Sequence, residues 1–256
     1  MSPGLLVTLR ITHCNQNTGS LNDMSALDPT QSLVELTMAI CDIESVSSNE
    51  AKLADEIERV LASASHLSIT RDGNAVVART NLNRDTRVII AGHIDTVPVA
   101  ENLPTRLHHF EREQVIFGRG TVDMKGGIAV MLKLAVEIQQ PKFDVTWVFY
   151  DNEEVAADLN GLGRLARNHP EMLNGEFAVL CEPTSAMIEG GCNGTVRVEV
   201  RTVGIKAHSA RPWMGKNAIH ELAHSLNILN DYQPATVTVD GLDYKESLSA
   251  VLVSGG

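Results

Sequence analysis

Val88-Ile89-Ile90-Ala91-Gly92-His93-Ile94-Asp95 is the stretch on which the reading of this chain turns. Four consecutive apolar residues without polar alternation are what a strand needs when both faces of its sheet are covered. The run breaks at a glycine, and an imidazole and a carboxylate follow at once, where such a strand would end. Residues 145–150 and 177–181 repeat the pattern as further buried strands, running into Asp151-Asn152-Glu153-Glu154 and Glu182-Pro183. Between them, residues 125–140, closed by Pro141, and residues 159–169, closed before Pro170, read as helices. Strands alternating with helices predict an α/β fold, a mostly parallel sheet flanked by helices.

Upstream of this core, Leu33, Leu36, Thr37 and Ile40 fall on one helical face. A second helix is expected to open with a capping box, Ser47-x-x-Glu50, and to bury Leu53, Ile57, Val60 and Leu61. Short β-like runs follow at 67–70 and 75–80. Downstream, the texture changes near Glu182-Pro183. Residues 195–203 alternate apolar and polar, as in a half-exposed antiparallel strand. A helix at 217–230 and strands at 235–240 and 248–253 complete a β-α-β-β order. The predicted division is a disordered leader at 1–27, one domain at 28–184 and a smaller α+β domain at 185–256. Met24 offers a second reading of the leader, as sequence lying before the true start.

Of the 256 residues, 43% are hydrophobic and only 4% aromatic, enough for a sizeable core filled by aliphatic side chains. The net charge of −11 argues against nucleic acid as a partner, because phosphate neutralisation needs clustered Lys and Arg. No apolar run reaches the length of a membrane span, and the opening MSPGLLVTLRITHC lacks a signal-cleavage pattern. Cys14, Cys41, Cys181 and Cys192 have no C-x-x-C spacing, so they read as reduced thiols of a cytoplasmic protein.

Chemistry is concentrated in Gly92-His93-Ile94-Asp95, Gly120-Thr121-Val122-Asp123, Asp151-Asn152-Glu153-Glu154 and Cys181-Glu182-Pro183. In open α/β sheets ligands bind at the carboxyl ends of strands. Carboxylates converging there repel one another unless a cation sits among them, and mixed imidazole and carboxylate donors suit Zn²⁺, with Co²⁺ or Mn²⁺ also compatible. Each segment also has a plain reading: a surface turn, a helix N-cap at Asp123, a solvated acidic turn, a loop exit. Their joint occurrence at successive strand ends favours the metal.

GHIDTVP, GRGTVDMKGG, DNEEVA and CEPT, in this order, resemble the dinuclear zinc aminoacylase and carboxypeptidase family, which includes succinyl-diaminopimelate desuccinylases, acetylornithine deacetylases and glutamate carboxypeptidases. The resemblance runs from about residue 30 to the end, and GNAVVART, PVAENLP, DLNGLGRL and AHSARPWMGKNAIH look most like the actinobacterial desuccinylase branch. It implies zinc-dependent hydrolysis of the amide of N-succinyl-LL-2,6-diaminopimelate to succinate and LL-diaminopimelate, in lysine and cell-wall precursor synthesis. It further implies that His93 and Glu182 hold one zinc, that Asp123 bridges two, and that Glu154 holds the second. Asp95 would orient His93, and Glu153 would act as general base. His208 is similar to the family histidine that reaches a partner subunit's site in a homodimer, and Thr195 and Arg211 would hold substrate carboxylates. The resemblance implies that the domain at 28–184 is catalytic and that 185–256 is an incomplete lid and dimerisation domain. The family pattern continues past residue 256 and supplies a further histidine to the second metal. The expectation for this chain is therefore one well-held zinc, a poorly held second, and impaired activity. Acetylornithine deacetylation, another zinc amidohydrolase or dipeptidase activity, and an inactive metal-binding fragment are the alternatives, since the metal motifs do not read the acyl group.

Overall fold

The computed structural model describes residues 26–110 and 113–255. The expected leader and Met24 fall outside these residues, except that Leu27 is buried and ties Glu56 and Arg59 through its backbone, so the folded unit includes it. The chain divides into two compact units, one up to Pro183 and one from Thr184.

In the first unit, α1 (Leu33–Asp42) and α2 (Ala51–Ala62) precede β1 (Ser68–Asp72), β2 (Ala75–Arg79) and β3 (Arg87–His93). A hairpin of β4 (Arg106–Phe110) and β5 (Glu113–Phe117) follows, then α3 (Lys125–Glu137), β6 (Asp144–Tyr150), α4 (Gly161–Asn168) and β7 (Phe177–Leu180). The sheet order is β1-β2-β6-β3-β7. β3 is parallel to both β6 and β7, and only β2 runs against the other four strands. The fold is α/β with a mostly parallel sheet, as the strand–helix alternation requires.

Side chains alternate across a strand, so a sheet covered on both faces needs two cores. Val76, Ala78, Val145, Trp147 and Phe149 face α1, α2 and α3, where they pack with Leu36, Ile40, Leu53, Ile57, Leu61, Ile128 and Leu132. Ala75, Val77, Ile89, Ala91, Val148 and Tyr150 face the other way, onto Leu162 and Leu165 of α4. The hairpin of β4 and β5 carries no continuous apolar run and went unread in the sequence. β7 departs from expectation. It is an edge strand rather than a buried one, with Phe177 63% and Leu180 58% exposed.

The capping box lies elsewhere than expected. Ser32 and Glu35 form one at the start of α1. At α2 the N-cap is Glu50, with no side-chain cap. Ser47 donates instead to Asp95, and Glu50 accepts from the Ser48 amide. A tertiary acceptor has outcompeted the local one.

The second unit contains α5 (Ala218–Glu221), α6 (Ala223–Asp231), β8 (Thr236–Val239) and β9 (Leu242–Lys245). The helix predicted at 217–230 forms in these two pieces. Residues 195–203 do not form the predicted strand: no strand among the described residues pairs with them, and Val196 and Val198 are 79% and 78% exposed. The strand expected at 248–253 is also absent. β9 pairs with β8 through Asp240-Gly241, both at positive φ. This two-residue turn is the one an Asp-Gly pair favours, because it matches the twist of the flanking strands.

Candidate metal centre

Register brings the acidic segments together. His93 pairs with Tyr150 across the parallel β3–β6 ladder, and Ala91 pairs with Leu180 across β3–β7. Two residues beyond that last pair, His93 and Glu182 stand level, while Asp151 to Glu154 leave β6 alongside Ile94 to Thr96. The start of α3 closes on the same rim: Gly92 leaves room for the Met124 side chain, and a Cβ on Gly127 would lie 2.6 Å from the Cys181 carbonyl oxygen. The Asp123–Met124 peptide is cis.

His93 Nε2 lies 3.1 Å from Asp123 Oδ1 and 3.8 Å from Glu182 Oε2. His93, Asp123 and Glu154 each present a ligand atom, all within 4.8 Å of one another. The resemblance paired His93 and Asp123 with Glu182 at one metal and left Glu154 to the other; in the structure the tight trio includes Glu154, with Glu182 beside it. The other ring nitrogen, Nδ1, is 3.0 Å from the Asp95 carbonyl oxygen and 3.4 Å from its carboxylate. That carboxylate also accepts the Glu153 amide at 2.9 Å, the Glu154 amide at 3.1 Å and the Ser47 hydroxyl at 2.7 Å. Asp95 is fully buried, so these three hydrogen bonds and the neighbouring imidazole are what make its charge tolerable.

Burial by itself would lower the His93 pKa, but its interaction with the accepting Asp95 carboxylate and the charges of Glu182, Asp95 and Asp123 outweigh it and raise it to about 9. Burial raises Glu154, and Asp123 adds to it against the opposing effect of His93. Burial likewise raises Glu182, with Asp123, Glu153 and Glu154 reinforcing it against His93. Asp95 moves the other way: burial would raise it, yet its hydrogen bonds with His93, Glu153, Ser47 and Glu154 hold it low. Carboxylates that resist ionisation around an imidazole that resists deprotonation describe a place short of positive charge. One imidazole and three carboxylates fit a divalent ion of the zinc type.

A cleft of about 190 Å³ opens beside Asp123 and Glu154, walled by Thr96, Val97, Arg119 and Thr121. Arg119 Nε is buried there without a hydrogen-bond partner among the described residues. Lys125, two residues past Asp123, is buried and donates to the Ile43 carbonyl at 2.7 Å; burial lowers its pKa to about 8. Neither residue stood out in the sequence, because an Arg or Lys in a Gly-rich loop carries no signal of burial. Thr195, His208 and Arg211 belong to the second unit and are exposed within it; His208 Nδ1 accepts the Ala210 amide at 3.1 Å.

A profile described as Peptidase family M20/M25/M40 matches residues 89–243. A protein of Mycobacterium tuberculosis that carries the name succinyl-diaminopimelate desuccinylase DapE is 52% identical over 87% of this chain and 62% of its own length. The succinyl-diaminopimelate desuccinylase of Corynebacterium glutamicum is 43% identical over 87% of this chain and 61% of its own length. The chain thus spans about 62% of the length of the curated relatives it matches. Among solved structures, a tripeptidase of Staphylococcus aureus superposes with a TM-score of 0.56 at 16% identity, covering 84% of this chain and 63% of that one. Aminopeptidase PepT of Bacillus cereus gives 0.51 at 13%, covering 85% and 64%. These two likenesses bear on the fold. With a family profile spanning most of the chain and both curated relatives agreeing, this chain belongs to the Peptidase family M20/M25/M40.

Proposed function

We propose that this chain is the metal-binding portion of an amidohydrolase that cleaves N-succinyl-LL-2,6-diaminopimelate to succinate and LL-diaminopimelate. The observation that carries the reading is the convergence of His93, Asp123, Glu154 and Glu182 at one rim of the sheet. The names of the 52% and 43% identical relatives supply the substrate. His93, Asp123, Glu154 and Glu182 would hold zinc or cobalt. A bound divalent ion would supply Lewis acidity toward the amide carbonyl and the attacking water. Glu153, whose amide is fixed by Asp95, is the proposed base: its carboxylate takes a proton from water and returns it to the leaving amine. Asp95 holds His93 in one tautomer, with Nε2 directed at the carboxylates. Thr195 and Arg211 are the proposed contacts for substrate carboxylates, and His208 the residue offered to a partner subunit in a homodimer. The free thiols Cys41, Cys181 and Cys192 suit a reducing, cytoplasmic setting, and no helix among the described residues is long and apolar enough to cross a membrane.

The deciding assay measures amine release from succinyl- and acetyl-substrates with added zinc. It is run on this chain alone and on the chain joined to the C-terminal part of the 52% identical relative. Cleavage of the succinyl substrate is expected, more strongly in the joined protein. A zinc-loaded joined protein that prefers the acetyl substrate, or cleaves neither, would overturn the assignment.

A further inference from the structure

The loop from α1 to α2 has been only a connection so far, yet its residues 45–48 touch both acid-bearing loops. Val46 forms a parallel bridge to Thr96 just past the end of β3. The bridge is closed by Thr96 N to Ser45 O at 3.0 Å and by Ser47 N to Thr96 O at 3.1 Å. The hydroxyls then fan out. Ser45 donates to the Ile94 carbonyl at 2.6 Å, Ser47 to Asp95 Oδ2 at 2.7 Å, and Ser48 to Asn152 Oδ1 at 2.9 Å. Ser48 sits at φ 72 and is held there by the hydrogen bond its backbone N–H donates to Glu50 Oε1, while the other Glu50 oxygen accepts from Asn74. The root of the segment is fixed as well, by Lys125 Nζ on the Ile43 carbonyl. Three short hydroxyl side chains in four residues thus join the His93–Asp95 turn to the Asp151–Glu154 turn. The segment pairs with Thr96 by a single bridge only, so its side chains carry much of its attachment.

We propose that this segment is a strap that sets the spacing of the metal-binding loops, with Ser47 as its positioning residue. The Ser47 hydroxyl is one of three hydrogen-bond donors to the Asp95 carboxylate, beside the Glu153 and Glu154 amides, and His93 Nδ1 lies 3.4 Å away as an ion-pair partner. Losing it leaves a buried carboxylate oxygen with one donor fewer. Asp95 then turns toward what remains, carrying the imidazole and the Glu153–Glu154 backbone with it. Among the described residues the Ser47 hydroxyl is hydrogen-bonded to Asp95 and to none of the proposed ligands, so it acts through Asp95. The inference rests on the metal-site reading above.

The test uses the whole chain, stripped of metal, with zinc affinity measured by chelator competition and geometry by the visible absorption of the cobalt-loaded protein. Ser47→Ala is expected to weaken zinc binding about tenfold, the lower end of what partners of ligating histidines contribute, and to shift the cobalt bands. Ser47→Thr, which keeps the hydroxyl, should restore both. Ser63→Ala removes a comparable hydroxyl bond, to the Val60 carbonyl at the end of α2, and should leave both unchanged. In an Asp95→Asn background, Ser47→Ala should add less than about twofold, because coupled residues do not act additively. Wild-type zinc affinity and cobalt spectrum in Ser47→Ala would overturn the strap, as would losses that multiply in the double variant. Absence of any divalent-ion binding by the unmodified chain would instead sink the metal-site reading itself, and the strap with it.

Discussion

Raising the pH of the metal-free protein from 6.5 to 9 takes protons from two buried groups, Lys125 with a pKa of about 8 and His93 with one of about 9. His93 is buried and its pKa lies at about 9 against an ordinary 6.5, so folding takes up a proton there at neutral pH. A metal needs the neutral imidazole. At pH 7 about one molecule in a hundred has it, since two pH units separate the solution from the pKa and each unit is a factor of ten, about 1.4 kcal/mol. Zinc affinity should therefore rise about tenfold per pH unit between 7 and 8 and level off near 9. Glu154 and Glu182, also raised, steepen the rise at the acid end. The stability of the metal-free protein runs the other way. The folded-state pKa exceeds the unfolded one, so the contribution is complete below pH 6.5 and is lost as pH climbs through 9; the gap of about 2.5 units corresponds to about 3 kcal/mol. The zinc-loaded protein lacks that proton and gains stability as binding tightens. Melting temperature against pH should fall for the metal-free form from pH 6.5 to about 8, above which Lys125, neutral in the folded chain and charged in the unfolded one, offsets the loss from His93; for the loaded form it should rise. Calorimetric titration in two buffers of different ionisation enthalpy should count about one proton released per zinc near pH 7.5. Zinc affinity that stays flat from pH 7 to 9, with no proton released, would refute the account of His93.

Asp95→Asn removes a charge and a hydrogen bond that hold the imidazole protonated, so the pH dependence of zinc binding should flatten while plateau affinity drops about 10–100-fold, measured by the same competition. Arg164→Ala leaves Asp151, 3% exposed and now bonded through both oxygens to the guanidinium, as an uncompensated buried charge. Urea unfolding should register a loss of about 3–5 kcal/mol, and a loss under 1 kcal/mol would count against that pair. Leu132→Ala opens a cavity between α3 and the sheet and should cost about 2–5 kcal/mol in the same experiment. Glu153→Gln should abolish amide cleavage in the joined protein with zinc content unchanged by metal analysis; turnover within about tenfold of the parent would remove Glu153 from the role of base.

The strands and the acidic rim were legible because there the apolar run and the reactive side chain adjoin in sequence: Val88 to Ala91 next to His93, and residues 145–150 next to Glu153 and Glu154. What escaped depends on contacts between distant segments. Ser47 pairs with a carboxylate 48 residues away, and a local rule assigned it to a helix cap instead. Lys125 finds its acceptor 82 residues upstream. The second unit shows the converse. Residues 195–203 have the alternation of a strand, but alternation states only which side chains would share a face, and a strand also needs a partner for its amides. Asp240-Gly241 carried a turn signal that the longer apolar run at 248–253 obscured.

Burial alone does not say which of the five carboxylates here receive a cation, because it penalises all their charges alike. Hydrogen bonds make the distinction. Asp95 is the most deeply enclosed and yet the one held low, since three donors and the His93 ring beside it stabilise its charge. A carboxylate so occupied has little left to offer a metal, and its work is done through what it holds: the imidazole on one side and two backbone amides on the other. Among the described residues Glu154 and Glu182 have no such donors, and their pKa values rise. A group that is anionic by nature, partly desolvated and without donors lowers its energy either by taking a proton or by taking a cation. Within 3.8 Å of Glu182 and 3.1 Å of Asp123, His93 Nε2 marks where that cation would sit. One set of identical functional groups is thereby split into holders and ligands by donor count, a division that the pH dependence of zinc binding in Asp95→Asn tests directly.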